Sequence, residues 1–149
     1  MTTDLNYNNI LIPVDGSKEA EAALAKAIQV AKRNNQATLH ILHVIDTRAF
    51  QNVADFKTTM VEQVAETAKK TLDAYLQQAK DAGVENAEYT IEYGSPKDII
   101  AHQAPAKLDI DLIMIGATGL NAIERLLIGS VTEYVTRTAK VDTLIVRVG

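Results

Sequence analysis

Five short apolar runs alternate with four stretches of helical periodicity, and few folds accommodate that alternation. The runs cover residues 10–14, 37–45, 87–93, 110–115 and 143–148. Each is bounded by Asn, Asp or Gly, the pattern of a buried strand rather than a helix. Between them, Ser17 opens an alanine-rich helix with Ala20, Ala23, Leu24, Ala27, Ile28 and Ala31 along one side, ended by Asn34-Asn35. A longer helix over 56–82 repeats Met60, Val64, Ala68, Leu72 and Leu76 about every fourth residue, and Gly83 suits the position after its last turn. The segment 46–55 before it is a long loop for a compact α/β unit. Two shorter helices, from Ser95 to about 106 and over 130–139, complete the series. The order β-α-β-α-β-α-β-α-β argues for a parallel sheet with helices on both faces and right-handed crossovers. The expected architecture is therefore α/β, doubly wound and Rossmann-like, with five parallel strands in the order 3-2-1-4-5 and one domain over 1–149. Such sheets bind ligands at the carboxyl ends of their strands, where the winding reverses. With strands 1 and 4 adjacent there, the loops at Asp15 and Gly116 face one crevice.

The fourth strand leads into the most informative stretch. Its apolar run stops at Gly116; Gly119 follows, and then Gly129-Ser130 before Val131, Tyr134 and Val135 at helical spacing. Ser130 and Glu133 fit a capping box, so Ser130 is the expected N-cap. Ser95-Pro96 with Asp98 is a second such start, and Pro105 should distort or end the helix that follows. A strand, a glycine-punctuated loop and a helix start can hold an anion: glycines admit close backbone approach, and the helix offers unpaired N–H groups. Read singly, Gly116 ends a strand, Gly119 makes a turn and Ser130 caps a helix. The spacing G-x2-G-x9-G-S is neither the P-loop nor the dinucleotide-binding G-x-G-x-x-G.

Composition narrows the function classes. Net charge is −4 without a basic cluster, which argues against nucleic acid. No apolar run is long enough for a membrane span, and no signal-peptide pattern opens the chain. The polar residues 1–9 are expected to be a disordered tail. There is no cysteine, hence no disulfide or thiolate zinc site, which suits a cytoplasmic protein. His40 and His43 lie three apart in a strand and face opposite sides, and His102 has no partner at ligand spacing. All three read as surface or satisfied core residues, and no structural metal site is expected. A phospho-receiver would need an acidic pair after strand 1, an aspartate after strand 3 and a lysine after strand 5. Here one aspartate, Tyr93-Gly94 and the chain end stand in those places.

The loop spacing resembles the ATP-binding signature of the universal stress protein family, through Gly116, Gly119, Gly129 and Ser130. Pro13-Val14-Asp15-Gly16-Ser17 resembles that family's opening strand and loop, and Leu42-His43-Val44-Ile45-Asp46 its second strand. Gly94-Ser95-Pro96 and Leu144-Ile145-Val146-Arg147 resemble its third helix start and closing strand. The resemblance covers roughly residues 7–148. It implies an adenine nucleotide alpha hydrolase-like fold that takes ATP or another adenine nucleotide, with Mg²⁺ bound through the phosphates, in a dimeric protein linked to stress responses. It assigns Asp15 to the adenosine end, Val44 backbone groups to the adenine edge, and Pro13 and Ile115 to the pocket wall, with Val14 among the binding residues. Gly116 falls against the ribose, while Gly119, Gly129, Ser130 and Val131 fall on the phosphates. Arg125 is either a further phosphate donor or a solvated arginine. Asp142-Thr143 departs from the pattern, since the family often has a proline leading this strand.

The leading functional expectation is an ATP-binding regulator acting through conformation or partners. The alternative is a slow ATP hydrolase or a nucleotidyl-transferring enzyme of the same fold. Beyond Ser130 and Arg125 the loop offers neither a lysine nor an evident base, so efficient phosphoryl transfer is not expected. Strand 5 (TLIVRV) is an apolar edge without proline or lysine, and predicts a homodimer joined through it.

Overall fold

Strand β1 (Asn9–Pro13) occupies the middle of the sheet because little in it tolerates water: Ile10, Leu11 and Ile12 are fully buried. The computed structural model describes residues 6–35, 37–50, 57–118 and 128–148. In it, β1 is flanked by β2 (Thr38–Ile45) and β4 (Leu112–Gly116), with β3 (Ala87–Tyr93) and β5 (Asp142–Val146) outermost. All pairings are parallel, in the order β3-β2-β1-β4-β5 that the alternation of elements predicts.

Alternate side chains of the inner strands enter two different cores. Ile10, Ile12, Leu39, Ile41, Leu112 and Met114 pack under α1 (Lys18–Arg33) and α2 (Lys57–Asp81). Leu11, Leu42, Ile113 and Ile115 pack on the other face, under α3 (residues 96–107) and α4 (Ser130–Thr138). Helix α1 begins where Ser17 Oγ accepts the Ala20 N–H at 3.1 Å. Ala23, Ala27 and Ala31 are fully buried, and their small size brings the helix axis close to the sheet. Glu19 and Glu21 in its first turn and Lys32 and Arg33 in its last suit the helix dipole. Leu24 and Leu39 fill the layer between helix and strands, and truncating either to alanine costs about 2–5 kcal/mol.

The sequence expectations need correction in four places. Ser95 precedes Pro96 as expected, yet its side chain makes no cap hydrogen bond. Pro105 distorts α3 without ending it, one of the two outcomes expected: the π-helical turn Ile99–Gln103, with Ala104 N–H donating to Ile99 O, widens the helix just before it. That turn relieves the clash a proline ring makes in a regular helix, which runs on to Lys107. The long loop after β2 holds a 3-10 turn, Thr47–Phe50, and its continuation over 51–56 lies outside the described residues. Part of the polar N-terminus is tied down: Asn8 and Asn9 N–H donate to the Asp111 carboxylate at 2.8 and 3.0 Å. Strand β5 starts one residue early, at Asp142, whose carboxylate accepts the Tyr7 hydroxyl at 2.8 Å. The polar character of Asp142 thus serves a tether rather than breaking the strand.

Candidate functional site

The sheet order puts β1 beside β4, so the connection leaving β1 and the one leaving β4 emerge side by side. Of the two, the β1 exit is tightly built. Pro13 and Val14 are buried, and the Asp15 carboxylate accepts the Ser17 N–H at 3.0 Å across Gly16, whose φ of +83° favours glycine. Asp15 therefore shapes its own loop as well as facing outward. Beyond it, Tyr75 of α2 donates to Glu21 at 3.2 Å, and burial first, then the Glu21 charge, push its phenol up to about 12.

At the β4 exit, the chain is pinned where α4 begins. Gly129 N–H donates to Ala117 O at 2.8 Å, and Thr132 Oγ donates to Gly116 O at 2.7 Å from a buried position. These two bonds make Gly129 the N-cap and place Ser130 in the first turn, exposed, with no side-chain cap bond. The predicted capping box is therefore absent. Glu133 pairs instead with Arg137 at 2.8 Å, which holds its carboxyl below the ordinary value. Ile115 is buried among Leu11, Ile113 and Val135, and Val131 packs against the same cluster. Gly116 has a role the sequence did not suggest, because the backbone of Glu19 closes the space a side chain would need. Gly119 and Arg125 lie outside the described residues.

A cleft of about 430 Å³ opens at the carboxyl ends of β1 and β2. Val14, Asp15, Gly16 and His43 form its floor; Val64, Thr67 and Thr71 are part of its α2 wall. Among the described residues of the predicted site, Val14 and Asp15 line it; Pro13, Val44, Ile115, Gly116, Gly129, Ser130 and Val131 do not. His43, Gln63, Thr67 and Thr71 escaped the sequence reading. The signal for the three from α2 was present: Gln63, Thr67 and Thr71 repeat at four-residue spacing beside the apolar stripe, and polar groups at that spacing share one face.

Backbone groups at the end of β2, beyond the cleft lining, are left open as well. Val14 N–H donates to Leu42 O at 2.8 Å, and in a parallel ladder the next bond would run from Val44 N–H to Val14 O. That carbonyl is taken by the His43 ring, whose Nδ1 lies 2.9 Å away. The Val44 N–H and C=O have no partner among the described residues, and by alternation they point to the side where β1 has ended. His40, on the opposite face as predicted, sits 2.7 Å from Glu88 and takes no part.

A family model described as "Universal stress protein family" matches residues 6–147. The chain belongs to the universal stress protein family. A relative of that description from Staphylococcus haemolyticus (strain JCSC1435) is 46% identical over 143 residues, covering 96% of this chain and 86% of its own. Among solved structures, the universal stress protein UspA from Lactobacillus plantarum superposes with a TM-score of 0.88 at 34% identity, over 97% of this chain and all of that one. A universal stress protein crystallised in complex with cAMP superposes with a TM-score of 0.66 at 27% identity, over 95% of this chain and 98% of that one. The fold of these universal stress proteins and that of this chain are the same α/β sheet.

Proposed function

We infer that this universal stress protein binds an adenine nucleotide, with ATP as its ligand, and acts through nucleotide-dependent conformation or partner binding rather than turnover. The observation that carries the reading is the pair of Val44 backbone groups at the carboxyl end of β2, which have no partner among the described residues and lie one strand from the β1/β4 junction where the sheet winding reverses. An N–H and a C=O from one residue match the donor and acceptor along an adenine edge. The structure in complex with cAMP supports the same ligand class in a relative. The start of α4 at Gly129, Ser130 and Val131 can offer N–H groups and a hydroxyl to phosphates, and the family resemblance, rather than the cleft lining, assigns Pro13 and Ile115 to the wall. Gly119 and Arg125 join them on the strength of the family signature alone.

The residues present fit a nucleotide better than a resident metal. Among the described residues no group of three or more His, Asp or Glu could hold an ion. Mg²⁺ would therefore be held mainly by phosphates and water. When bound, the ion supplies charge neutralisation for the phosphates. We further propose one domain, a homodimer through β5 and a cytoplasmic location. Among the described residues no helix is long and apolar enough to cross a membrane.

Thermal unfolding with and without Mg-ATP tests the reading. Ligand at about a hundred times its Kd stabilises by about 2.7 kcal/mol. Ser130→Asp keeps a residue that suits a helix N-terminus but places a negative charge where phosphates would lie. The expected result is an unchanged or raised melting point without ligand and loss of the Mg-ATP shift. Wild-type affinity in this variant would refute the phosphate assignment.

A further inference from the structure

We propose that His43 is a positioning residue that keeps the Val44 N–H open for ligand, by taking the Val14 carbonyl that would otherwise complete the β1–β2 ladder. The inference deepens the nucleotide reading and, for its effect on affinity, rests on it. The register runs without a gap from Asn9 opposite Thr38 to Pro13 opposite Leu42, which puts Val14 opposite His43. The Val14 N–H makes its ladder bond to Leu42 O, so the strands have not splayed apart at this point. Only the return bond, from Val44 N–H to Val14 O, is missing. Its acceptor is instead 2.9 Å from His43 Nδ1. A carbonyl can only accept, so Nδ1 carries the proton.

The consequence is a ladder that stops one bond short while β2 itself continues. Val44 and Ile45 remain paired with Glu92 and Tyr93 of β3, so the segment stays rigid with one edge exposed. An apolar side chain at 43 would leave the Val14 carbonyl with no partner, and the adjacent Val44 N–H is the nearest donor able to satisfy it. Closing that bond removes the donor from the open edge of β2. His43, which lines the cleft with Asp15, thus exchanges a side-chain hydrogen bond for an available backbone one.

The test combines amide hydrogen exchange at Val44 with nucleotide affinity in His43→Leu and His43→Asn. Leucine keeps apolar bulk without a donor. Asparagine places an N–H at the same number of bonds from the backbone as Nδ1. In the ligand-free wild type, the Val44 amide should exchange far faster than those of Leu39 and Ile41 in the same strand. In His43→Leu it should become protected, and the affinity for AMP and Mg-ATP should fall about tenfold. His43→Asn should restore both. A wild-type Val44 amide as protected as its neighbours, or a leucine variant with unaltered exchange and affinity, would overturn the proposal. If the exchange pattern is as expected but the wild type binds neither nucleotide, the positioning role stands and the nucleotide reading falls.

Discussion

The backbone of Glu19, in the first turn of α1, occupies the space into which any side chain on Gly116 would project. A Cβ there would stand 3.1 Å from Glu19 O and 3.2 Å from its carbonyl carbon. The close crossing of helix α1 favours glycine as the last residue of β4 without any ligand. Gly116→Ala should shift α1 by a few tenths of an ångström and cost about 1–3 kcal/mol. In a domain of this size each kcal/mol lowers the melting point by about 2–4 °C, which calorimetry resolves. A fully stable alanine variant would mean that the glycine answers to a ligand instead.

That contact also marks the boundary of what the residues alone disclose. The sheet and its order were legible, because each strand is a short apolar run with flanking Asn, Asp or Gly, and each helix keeps its own period. Ser17 caps its helix as its pattern predicts. Ser130 carries an equally good local pattern and does not. Gly129 N–H and the Thr132 hydroxyl are claimed by carbonyls at the end of β4, which starts the helix with Gly129 as its cap. Caps are local signals, and long-range bonds override them. The face on which His43 lies followed from strand alternation, but its bond to Val14 depends on where β1 stops. The role of Gly116 depends on which helix crosses it, and no spacing records that.

Alkaline stability should report on Tyr75. Its folded value of about 12 stands above the ordinary 10, so the folded state holds the phenol proton more tightly than the unfolded chain. The resulting stability is complete below about pH 10 and is lost as pH rises towards 12, with a magnitude on the order of 2 kcal/mol. Tyr75→Phe removes this dependence along with the bond to Glu21. Urea unfolding at pH 8, 10 and 11 should show wild type and variant converging as pH rises. Parallel curves would show that another group governs the alkaline loss.

The carboxylate of Asp111 holds the N-terminal segment through two backbone N–H groups, those of Asn8 and Asn9. Both bonds have a charged acceptor, but the Asn8 bond is exposed to solvent, so the pair contributes about 1–2 kcal/mol together. Asp111→Ala should release residues 6–8, and amide exchange at Asn8 and Asn9 should rise sharply while the β1 core from Ile10 onward stays protected. Asp111→Asn retains one acceptor and should give an intermediate result. Unchanged exchange at Asn8 in the alanine variant would show that Tyr7, through Asn34 and Asp142, suffices to hold the segment.

The homodimer proposed through β5 has a clean backbone test. The strand pairs with β4 on one side and forms the sheet edge on the other. Ala117 N–H donates to Val146 O, so by alternation Val146 and Leu144 turn their backbone groups towards β4. Those of Thr143, Ile145 and Arg147 then face the open edge. An exposed apolar edge invites pairing, and Leu144 is already 41% exposed. Two copies joined antiparallel along this edge would satisfy these groups about a two-fold axis. Ile145→Pro removes an outward donor and spares the β4 ladder, whereas Leu144→Pro removes an inward one and should destabilise the fold itself. Light scattering should find the wild type dimeric at micromolar concentration and the Ile145→Pro protein monomeric or weakly associated, with its Mg-ATP thermal shift retained. A wild type that remains monomeric at high micromolar concentration would refute the dimer. A proline variant as dimeric as the wild type would place the interface elsewhere.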